Sequence, residues 1–257
     1  GDDKYPDFSG KRVLVVGGGN VAMDCARTAI RSRAKTVSIV YRRRKEDMTA
    51  LPAEVEGAIA EGIELLTLKA PLRIEADESG NAKALWVQPQ MIGAVKGGRP
   101  SPKKASKAEE RLECDVILMA VGQDIVSAPF AHAGIATKRG QLLANASCEL
   151  NRVGMYAGGD CVTGPATVIK AIAAGKTAAA NIDEFLGFHH AISVDVEIPE
   201  PLLNDKLPCG RVNLGEKESW ARKDNFEGIE YTMSDEEALQ EASRCLRCDR
   251  HGCGVLR

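Results

Sequence analysis

Two glycines and an alanine near the start of the chain have the spacing of a dinucleotide-binding turn. The stretch Gly17-x-Gly19-x-x-Ala22 lies between an unbroken apolar run and a segment with apolar residues at helical spacing. Gly17 permits a tight turn, Gly19 lets a pyrophosphate approach the backbone, and Ala22 lets the helix pack close to the strand. Free N–H groups and the positive dipole at the helix start would hold the anion. The pattern predicts nucleotide contacts from Gly17, Gly18, Gly19, Asn20, Val21 and Ala22; a glycine-rich turn without a ligand is the alternative.

The residues that follow the second predicted strand indicate which dinucleotide binds. An NAD site places Asp or Glu there to bind the ribose 2′-hydroxyl, whereas this chain has Tyr41-Arg42-Arg43-Arg44-Lys45. Guanidinium groups bind a 2′-phosphate through charge-assisted hydrogen bonds, and a carboxylate would repel it. Eight basic residues and no acidic one lie between Arg27 and Lys45, so we expect a strongly positive local field. We therefore predict NADP(H), with Arg42 and Arg43 as phosphate ligands; a solvated basic turn is the alternative.

The order of elements that must position these residues predicts an α/β fold, a Rossmann-like parallel sheet with flanking helices. Strands are predicted at 12–16, 36–41 and 63–67, and helices at 20–34 and from Leu51-Pro52 to Gly62. From 71 to 113 the pattern becomes antiparallel, and its basic stretch 96–108 is expected to be a surface loop. Another buried strand follows at 115–121.

A second block of the chain repeats the strand–glycine–helix logic. A strand is predicted at 153–157, before Gly158-Gly159-Asp160, and a long helix at 166–186. Beyond His190 the composition becomes rich in Pro, Asp and Glu, which indicates an extended tail draped on a surface. That tail is predicted to end in a short helix, because Ser234-Asp235-Glu236-Glu237 has the pattern of a capping box.

Composition excludes several classes of protein. The 34 Lys and Arg residues against 36 Asp and Glu give a net charge of -2, without the basic excess of a nonspecific nucleic-acid binder. No apolar run approaches the roughly 20 residues that span a bilayer. The eight cysteines are scattered rather than spaced as a disulfide framework, which favours a reduced, cytoplasmic setting. The chain opens at Gly1 rather than Met, so we expect it to be a piece of a longer polypeptide.

Four motifs resemble those of the NADPH-dependent glutamate synthase small (β) subunit family, which also includes the flavin and NADPH portion of dihydropyrimidine dehydrogenase and related iron–sulfur flavoproteins. The resemblance covers most of residues 9–187. The motifs are Val15–Arg27, Val40–Arg43, Ala120-Val121-Gly122-Gln123 and Gly158–Ile169.

This resemblance implies an NADPH domain inserted into an FAD domain, with hydride passing from nicotinamide to flavin. It implies that Asp160 holds the FAD ribityl chain and that the helix start at Thr167-Val168 faces the flavin pyrimidine ring. It also places Ala120, Gly122 and Gly159 among the cofactor contacts. In that family, a strand–glycine–helix unit upstream of the NADPH domain binds the adenosine diphosphate of FAD. Only about ten residues precede the NADPH strand here, so we expect weak or absent FAD binding by this chain.

These inferences divide the chain into an NADP(H)-binding domain at 9–124, a partial FAD-binding domain at 125–190, and a tail at 191–257. The tail holds the only cysteine cluster, Cys245, Cys248 and Cys253, with C-x2-C spacing. Three thiolates could ligate a metal or an iron–sulfur cluster in the full protein, with Cys209 as a distant fourth. A redox dithiol and a structural role without chemistry remain alternatives.

The predicted function is the NADPH-binding portion of a flavoprotein oxidoreductase. Hydride would pass from NADPH to FAD, and electrons onward to iron–sulfur centres or a partner subunit, with no nucleic acid and no membrane span involved. One alternative is a thioredoxin-reductase-like disulfide oxidoreductase, against which no cysteine pair lies within residues 10–125. The other is a non-catalytic module that binds NADP(H) or docks partners.

Overall fold

The computed structural model describes residues 6–96, 99–190 and 209–245. Its contacts divide the chain into two compact units, one of residues 1–121 with 201–257 and one of residues 122–200. The fold is α/β. The domain boundaries drawn from the sequence stay a prediction.

The described residues of the first unit form a parallel sheet, an antiparallel sheet and four α-helices. Its strands are β1 Arg12–Val16, β2 Thr36–Val40, β3 Glu64–Leu66, β4 Lys69–Ala76, β5 Ala82–Lys96, β6 Arg99–Lys104, β7 Glu110–Glu113 and β8 Val116–Met119. Its helices are α1 Asn20–Arg31, α2 Pro52–Ala60, α6 Ser219–Arg222 and α7 Asp235–Ser243. The predicted strand–helix alternation of the first 66 residues is confirmed.

The parallel sheet has the order β3-β2-β1-β8, with β1 at its centre. Because side chains alternate along a strand, β1 feeds two different cores. Val13 and Val15 pack against α1 and α2, where Met23 and Ala26 are completely buried. Its other face packs against β5. Burial on both faces explains why β1 is an unbroken apolar run.

The antiparallel sheet covers the second face of the parallel sheet. Within it β5 pairs with β4, β6 and β7, and the predicted change to an antiparallel pattern is confirmed. The expectation of a surface loop at 96–108 is wrong for most of that stretch, since β6 pairs with β5 from Gln90↔Lys104 to Lys96↔Arg99. Its prolines and lysines are typical of an edge strand. The long partner strand β5 decides the pairing, which composition alone does not show.

The second unit contains α3 Ala128–His132, β9 Thr137–Lys138, β10 Gln141–Leu142, α4 Asp160–Thr163 and α5 Val168–Phe185. The long helix predicted at 166–186 is confirmed. The strand predicted at 153–157 is wrong, because this stretch forms a turn and a single bridge between Glu149 and Tyr156. Val153 is 82% exposed, so its apolar side chain does not mark a buried strand here.

The described part of the tail, 209–245, is more than an extended surface segment. The predicted capping box is confirmed, since Ser234 Oγ accepts from the N–H of Glu237 and the Glu237 carboxylate accepts from the N–H of Ser234. The short helix α6 carries Arg222, which is only 5% exposed. In the described ranges, no helix combines the length and apolar character needed to cross a membrane.

Candidate functional site

Two of the three glycines in the turn between β1 and α1, Gly17 and Gly18, have no room for a side chain. A Cβ atom on Gly17 would lie 2.3 Å from the carbonyl oxygen of Ala120, and the φ of Gly17 is +155°. A Cβ atom on Gly18 would lie 2.3 Å from the ring of Tyr41. A Cβ atom on Gly19 would meet only Thr49 Oγ1, at 3.5 Å, so the backbone of Gly19 is open to the approach of a pyrophosphate.

The first turn of α1 offers unused hydrogen-bond donors. Gly19 is the N-cap residue, with extended backbone and no capping side chain, and no acidic residue lies in the first turn. The N–H of Ala22 donates to the Gly19 carbonyl at 2.9 Å. Within the described ranges, no acceptor contacts the N–H groups of Gly19, Asn20 and Val21. Three free donors and an uncompensated helix dipole suit this turn to bind an anion.

The loop after β2 is fastened to the glycine turn. The Gly18 carbonyl accepts from the N–H of Thr49 at 2.9 Å and from that of Ala50 at 3.1 Å. Asn20 Oδ1 accepts from the N–H of Leu51, the N-cap of α2, at 2.8 Å. The Asn20 side chain is thus engaged internally, which its place in the motif did not indicate. These three hydrogen bonds connect the loop and the start of α2 to the glycine turn.

The arginines after β2 have different environments. Arg42 is exposed, and no group in the described ranges contacts its guanidinium. Arg43 Nε donates to the Pro100 carbonyl on β6 at 3.3 Å. Arg44 Nε donates to the Asp47 carboxylate at 2.9 Å. Of the two predicted phosphate ligands, Arg42 is fully available and Arg43 is anchored through one nitrogen.

Two of the eight basic residues between Arg27 and Lys45 share one buried carboxylate. Arg27 and Arg31, at the far end of α1, bind the buried carboxylate of Glu61 at 2.8 and 2.7 Å. Burial alone would raise the pKa of Glu61, but hydrogen bonds from Arg31 and Arg27 outweigh it, so this pKa is lowered. Hydrogen bonding to Glu61 raises the pKa of Arg27. Arg27 and Arg31 are thus paired with a buried carboxylate, and the strongly positive local field expected around the loop stays a prediction.

The same carboxylate joins the described part of the tail to helices α1 and α2 within the first unit. Arg222 Nε lies 3.1 Å from Glu61 Oε1, and Arg222 also pairs with Glu216. The Glu61 side chain is completely buried, and that of Arg222 is 5% exposed. A cavity of about 500 Å³ lies beside this cluster, between the ends of α1 and α2 and residues Lys223 and Asp224. No local sequence pattern predicts this junction, because its residues are far apart along the chain.

Ala120 and Gly122, which follow β8, are two further residues predicted to contact a cofactor. The N–H of Ala120 continues the ladder by donating to the Val16 carbonyl at 2.8 Å. The carbonyl of Ala120 faces Gly17, so it lies at the edge of the glycine turn. Gly122 has a φ of +99°, a backbone conformation that favours glycine. Their contact with a cofactor stays a prediction.

The predicted flavin residues lie around two helix starts of the second unit. Gly159 has a φ of +75° and precedes α4, whose first residue, Asp160, is exposed. No donor contacts the Asp160 carboxylate in the part of this unit that the structure describes. Thr167 Oγ1 caps α5 by accepting from the N–H of Lys170 at 3.4 Å, and Val168 is 74% exposed. This arrangement presents a carboxylate and a capped helix start to solvent.

The cysteine cluster falls only partly on described residues. Cys245 is exposed just after α7, whereas Cys248 and Cys253 lie outside the described residues. Cys209 Sγ lies 3.8 Å from Ser243 Oγ at the end of α7. Among the residues the structure covers, no group of three or more His, Cys, Asp or Glu could hold a metal, and all six cysteines are free thiols. The predicted ligand set stays a prediction.

Comparison with known proteins places this geometry in a family. The model of the pyridine nucleotide-disulphide oxidoreductases matches residues 2–175. The chain is 35% identical over 270 residues to the NADP(+)-dependent formate dehydrogenase subunit beta of Moorella thermoacetica, covering 99% of this chain and 38% of that protein. It is 32% identical over 192 residues to the glutamate synthase [NADPH] small chain of Escherichia coli, covering 72% of this chain and 41% of that protein. The chain thus spans about two fifths of the length of these relatives.

Solved structures share the fold. A thioredoxin reductase of Lactococcus lactis superposes with a TM-score of 0.56 at 24% identity, covering 70% of this chain and 54% of that one. Mycobacterium tuberculosis FprA in complex with NADPH gives a TM-score of 0.55 at 18% identity, covering 72% of this chain and 55% of that one. At these identities the likeness concerns the fold alone.

Proposed function

Because the chain belongs to the pyridine nucleotide-disulphide oxidoreductase family, we propose that it is the NADPH-binding portion of a flavoprotein oxidoreductase. One observation carries the proposal: the start of α1 has no capping side chain and follows a turn in which Gly17 and Gly18 have no room for a side chain. Free backbone donors at such a place bind a pyrophosphate. Relatives named as NADP(+)-dependent or NADPH-dependent enzymes support the choice of cofactor.

The nucleotide would be held at both of its phosphate groups. The N–H groups of Gly19, Asn20 and Val21 would hold the pyrophosphate, and Arg42 and Arg43 would hold the 2′-phosphate of NADP(H). Arg42 has no competing partner among the described residues, so binding breaks no existing ion pair. Arg43 keeps its bond to Pro100 through Nε and retains its terminal nitrogens for the ligand.

The second unit would hold part of a flavin. A bound flavin supplies hydride acceptance from NADPH and onward electron transfer. The free carboxylate of Asp160 suits a ribityl hydroxyl donor, and the N–H groups at Val168 suit developing negative charge on a flavin ring. Gly158 supports this site sterically, because a Cβ atom there would lie 2.8 Å from Cβ of Ala174 on α5.

Electrons would leave toward an iron–sulfur centre or a partner subunit. The relatives from Moorella thermoacetica and Geobacter sulfurreducens are named as subunits of larger enzymes, which supports a partner. We propose Cys245, Cys248 and Cys253 as thiolate ligands of a cluster or metal in the whole protein. We propose a cytoplasmic location, because the eight cysteines are scattered along the sequence and not spaced as a disulfide framework.

Binding of the two nicotinamide cofactors tests the proposal directly. Isothermal titration of the chain should show NADPH binding tighter than NADH by at least about tenfold, the effect of one or two charge-assisted hydrogen bonds. Arg42→Ala should remove most of that difference and leave NADH affinity unchanged. Lys107→Ala, which removes a positive charge from an exposed loop of the same unit, is the matched control. Equal affinity for both cofactors would contradict the proposal.

Dye reduction separates an oxidoreductase from a binding module. With FAD added, the whole protein should reduce an artificial electron acceptor with NADPH as the donor. NADPH binding without any dye reduction by the whole protein would instead favour a non-catalytic module. Reduction of a disulfide substrate in preference to the dye would favour the thioredoxin-reductase-like alternative.

A further inference from the structure

An acidic residue lies inside the basic loop, where it would be expected to repel a 2′-phosphate. Asp47 ends the 3₁₀ turn Lys45–Asp47 that follows Arg44. Its side chain is only 7% exposed. The carboxylate accepts from Arg44 Nε at 2.9 Å and from Arg44 Nη2 at 3.0 Å. The buried carboxylate is therefore hydrogen-bonded to the Arg44 guanidinium.

The backbone of Asp47 is tied to the end of β2. The Tyr41 hydroxyl donates to the Asp47 carbonyl at 2.8 Å, and the N–H of Asp47 donates to the Arg44 carbonyl at 3.1 Å. The Tyr41 ring in turn lies against Gly18 of the glycine turn. Arg42 and Arg43 thus lie between Tyr41 and Arg44, which are both hydrogen-bonded to Asp47. Their backbone has little freedom.

We propose that Asp47 is a positioning residue that determines the preference for NADP(H). By holding Arg44 inside the loop, it fixes the chain so that Arg42 and Arg43 present their guanidinium groups to a 2′-phosphate. The inference rests on the proposed function. Simple charge repulsion gives the opposite sign, since removing Asp47 would remove a negative charge and release Arg44 as another cation. The two accounts can therefore be separated by experiment.

The experiment compares two small probes that differ only in the 2′-phosphate. Adenosine 2′,5′-bisphosphate and AMP are titrated calorimetrically against the chain, and the ratio of their affinities isolates recognition of the 2′-phosphate. In Asp47→Asn this ratio should fall about tenfold, as expected when a charge-assisted contact loses its geometry. The affinity for AMP should change less than about twofold. Tyr41→Phe, which removes only the hydroxyl, should lower the ratio in the same direction and guards against a folding defect in the first variant.

Glu46→Gln is the matched control. Glu46 is the neighbouring acid, its side chain is 72% exposed, and its carboxylate lies 3.9 Å from Arg44 Nε. This variant makes the same charge change without opening the loop, so its ratio should stay constant or rise slightly. An unchanged or increased ratio in both Asp47→Asn and Tyr41→Phe would overturn the inference alone. A ratio near 1 in the unaltered chain would overturn the proposed NADP(H) site together with it.

Discussion

Replacing Glu61 by glutamine removes a negative charge that three buried guanidinium groups share. The Glu61 side chain is 0% exposed and lies 2.8 Å from Arg27, 2.7 Å from Arg31 and 3.1 Å from Arg222. Arg27 and Arg222 each have a second carboxylate partner, Glu54 and Glu216. Arg31 has no other carboxylate within the described ranges. Its charge is the one left uncompensated in the variant.

The expected loss of stability follows from the number of arginines that are left without a carboxylate partner. Removing one partner of a buried ion pair costs about 3–5 kcal/mol. Because two of the three arginines keep a carboxylate, we expect the lower end, about 3 kcal/mol. For a domain of this size that corresponds to a fall in melting temperature of about 6–12 °C. The loss should depend on pH, because the lowered pKa of Glu61 means that its ionised form stabilises the fold. That contribution is present above the unfolded pKa of about 4.3 and disappears as the pH falls through the lower folded pKa.

Urea unfolding followed by tryptophan fluorescence measures this loss in the correct unit. The two tryptophans of the chain, Trp86 on β5 and Trp220 on α6, both belong to the first unit. A Trp86→Phe background leaves Trp220 as the only reporter and shows whether the tail separates before the sheet unfolds. The urea midpoint should fall with an unchanged slope, and the difference from the unaltered chain should shrink in acid.

Two variants decide whether the reasoning holds. Arg222→Ala leaves Glu61 with two cations, so it should cost less than Glu61→Gln, about 1–2 kcal/mol. Glu46→Gln changes an exposed acid and should stay within about 0.5 kcal/mol. A loss below about 1 kcal/mol for Glu61→Gln would refute the shared-carboxylate account, as would an equal or larger loss for Arg222→Ala.

Three further substitutions, at Gly17, Asp115 and Ser234, test other parts of the fold. Gly17→Ala should abolish NADPH binding in titrations and cost about 3 kcal/mol in urea unfolding, because its Cβ would lie 2.3 Å from a backbone oxygen. Gly57→Ala inside α2 is the comparison. Its Cβ would lie 3.6 Å from the nearest atom, so this variant should be more stable by about 0.5–1 kcal/mol. Hydrogen bonds from Arg12 hold the pKa of Asp115 at about 2, so Asp115→Asn should lower the urea midpoint at pH 7. This difference between the variant and the unaltered chain should vanish between about pH 4 and pH 2. A difference that persists at pH 2 would contradict the prediction. Ser234→Ala should raise amide exchange across α7, a cap loss of about 1 kcal/mol, and unchanged exchange would argue against the capping box.

Local sequence patterns predicted the secondary-structure elements around the proposed nucleotide site. The apolar run of β1, the glycines that follow it and the helical spacing of α1 each depend on neighbouring residues, so the βα turn could be placed correctly. The capping box before α7 is local in the same way. Patterns failed where pairing is decided by a distant partner, as in β6, which lies on β5 despite its loop-like composition. They also failed at 153–157, where no second strand pairs with the apolar residues.

The amino-acid sequence determined by itself that a βαβ unit carries a bare glycine turn and that arginines follow its second strand, because strand burial, turn conformation and helix periodicity are properties of short segments. Only the tertiary structure decided which arginines are available to a ligand. Arg27 and Arg31 are neutralised by Glu61, which lies 34 and 30 residues further along the chain, while Arg42 is left exposed. A charge pairs with whatever the fold brings within a few ångströms, so net charge along a segment does not determine the field at a site.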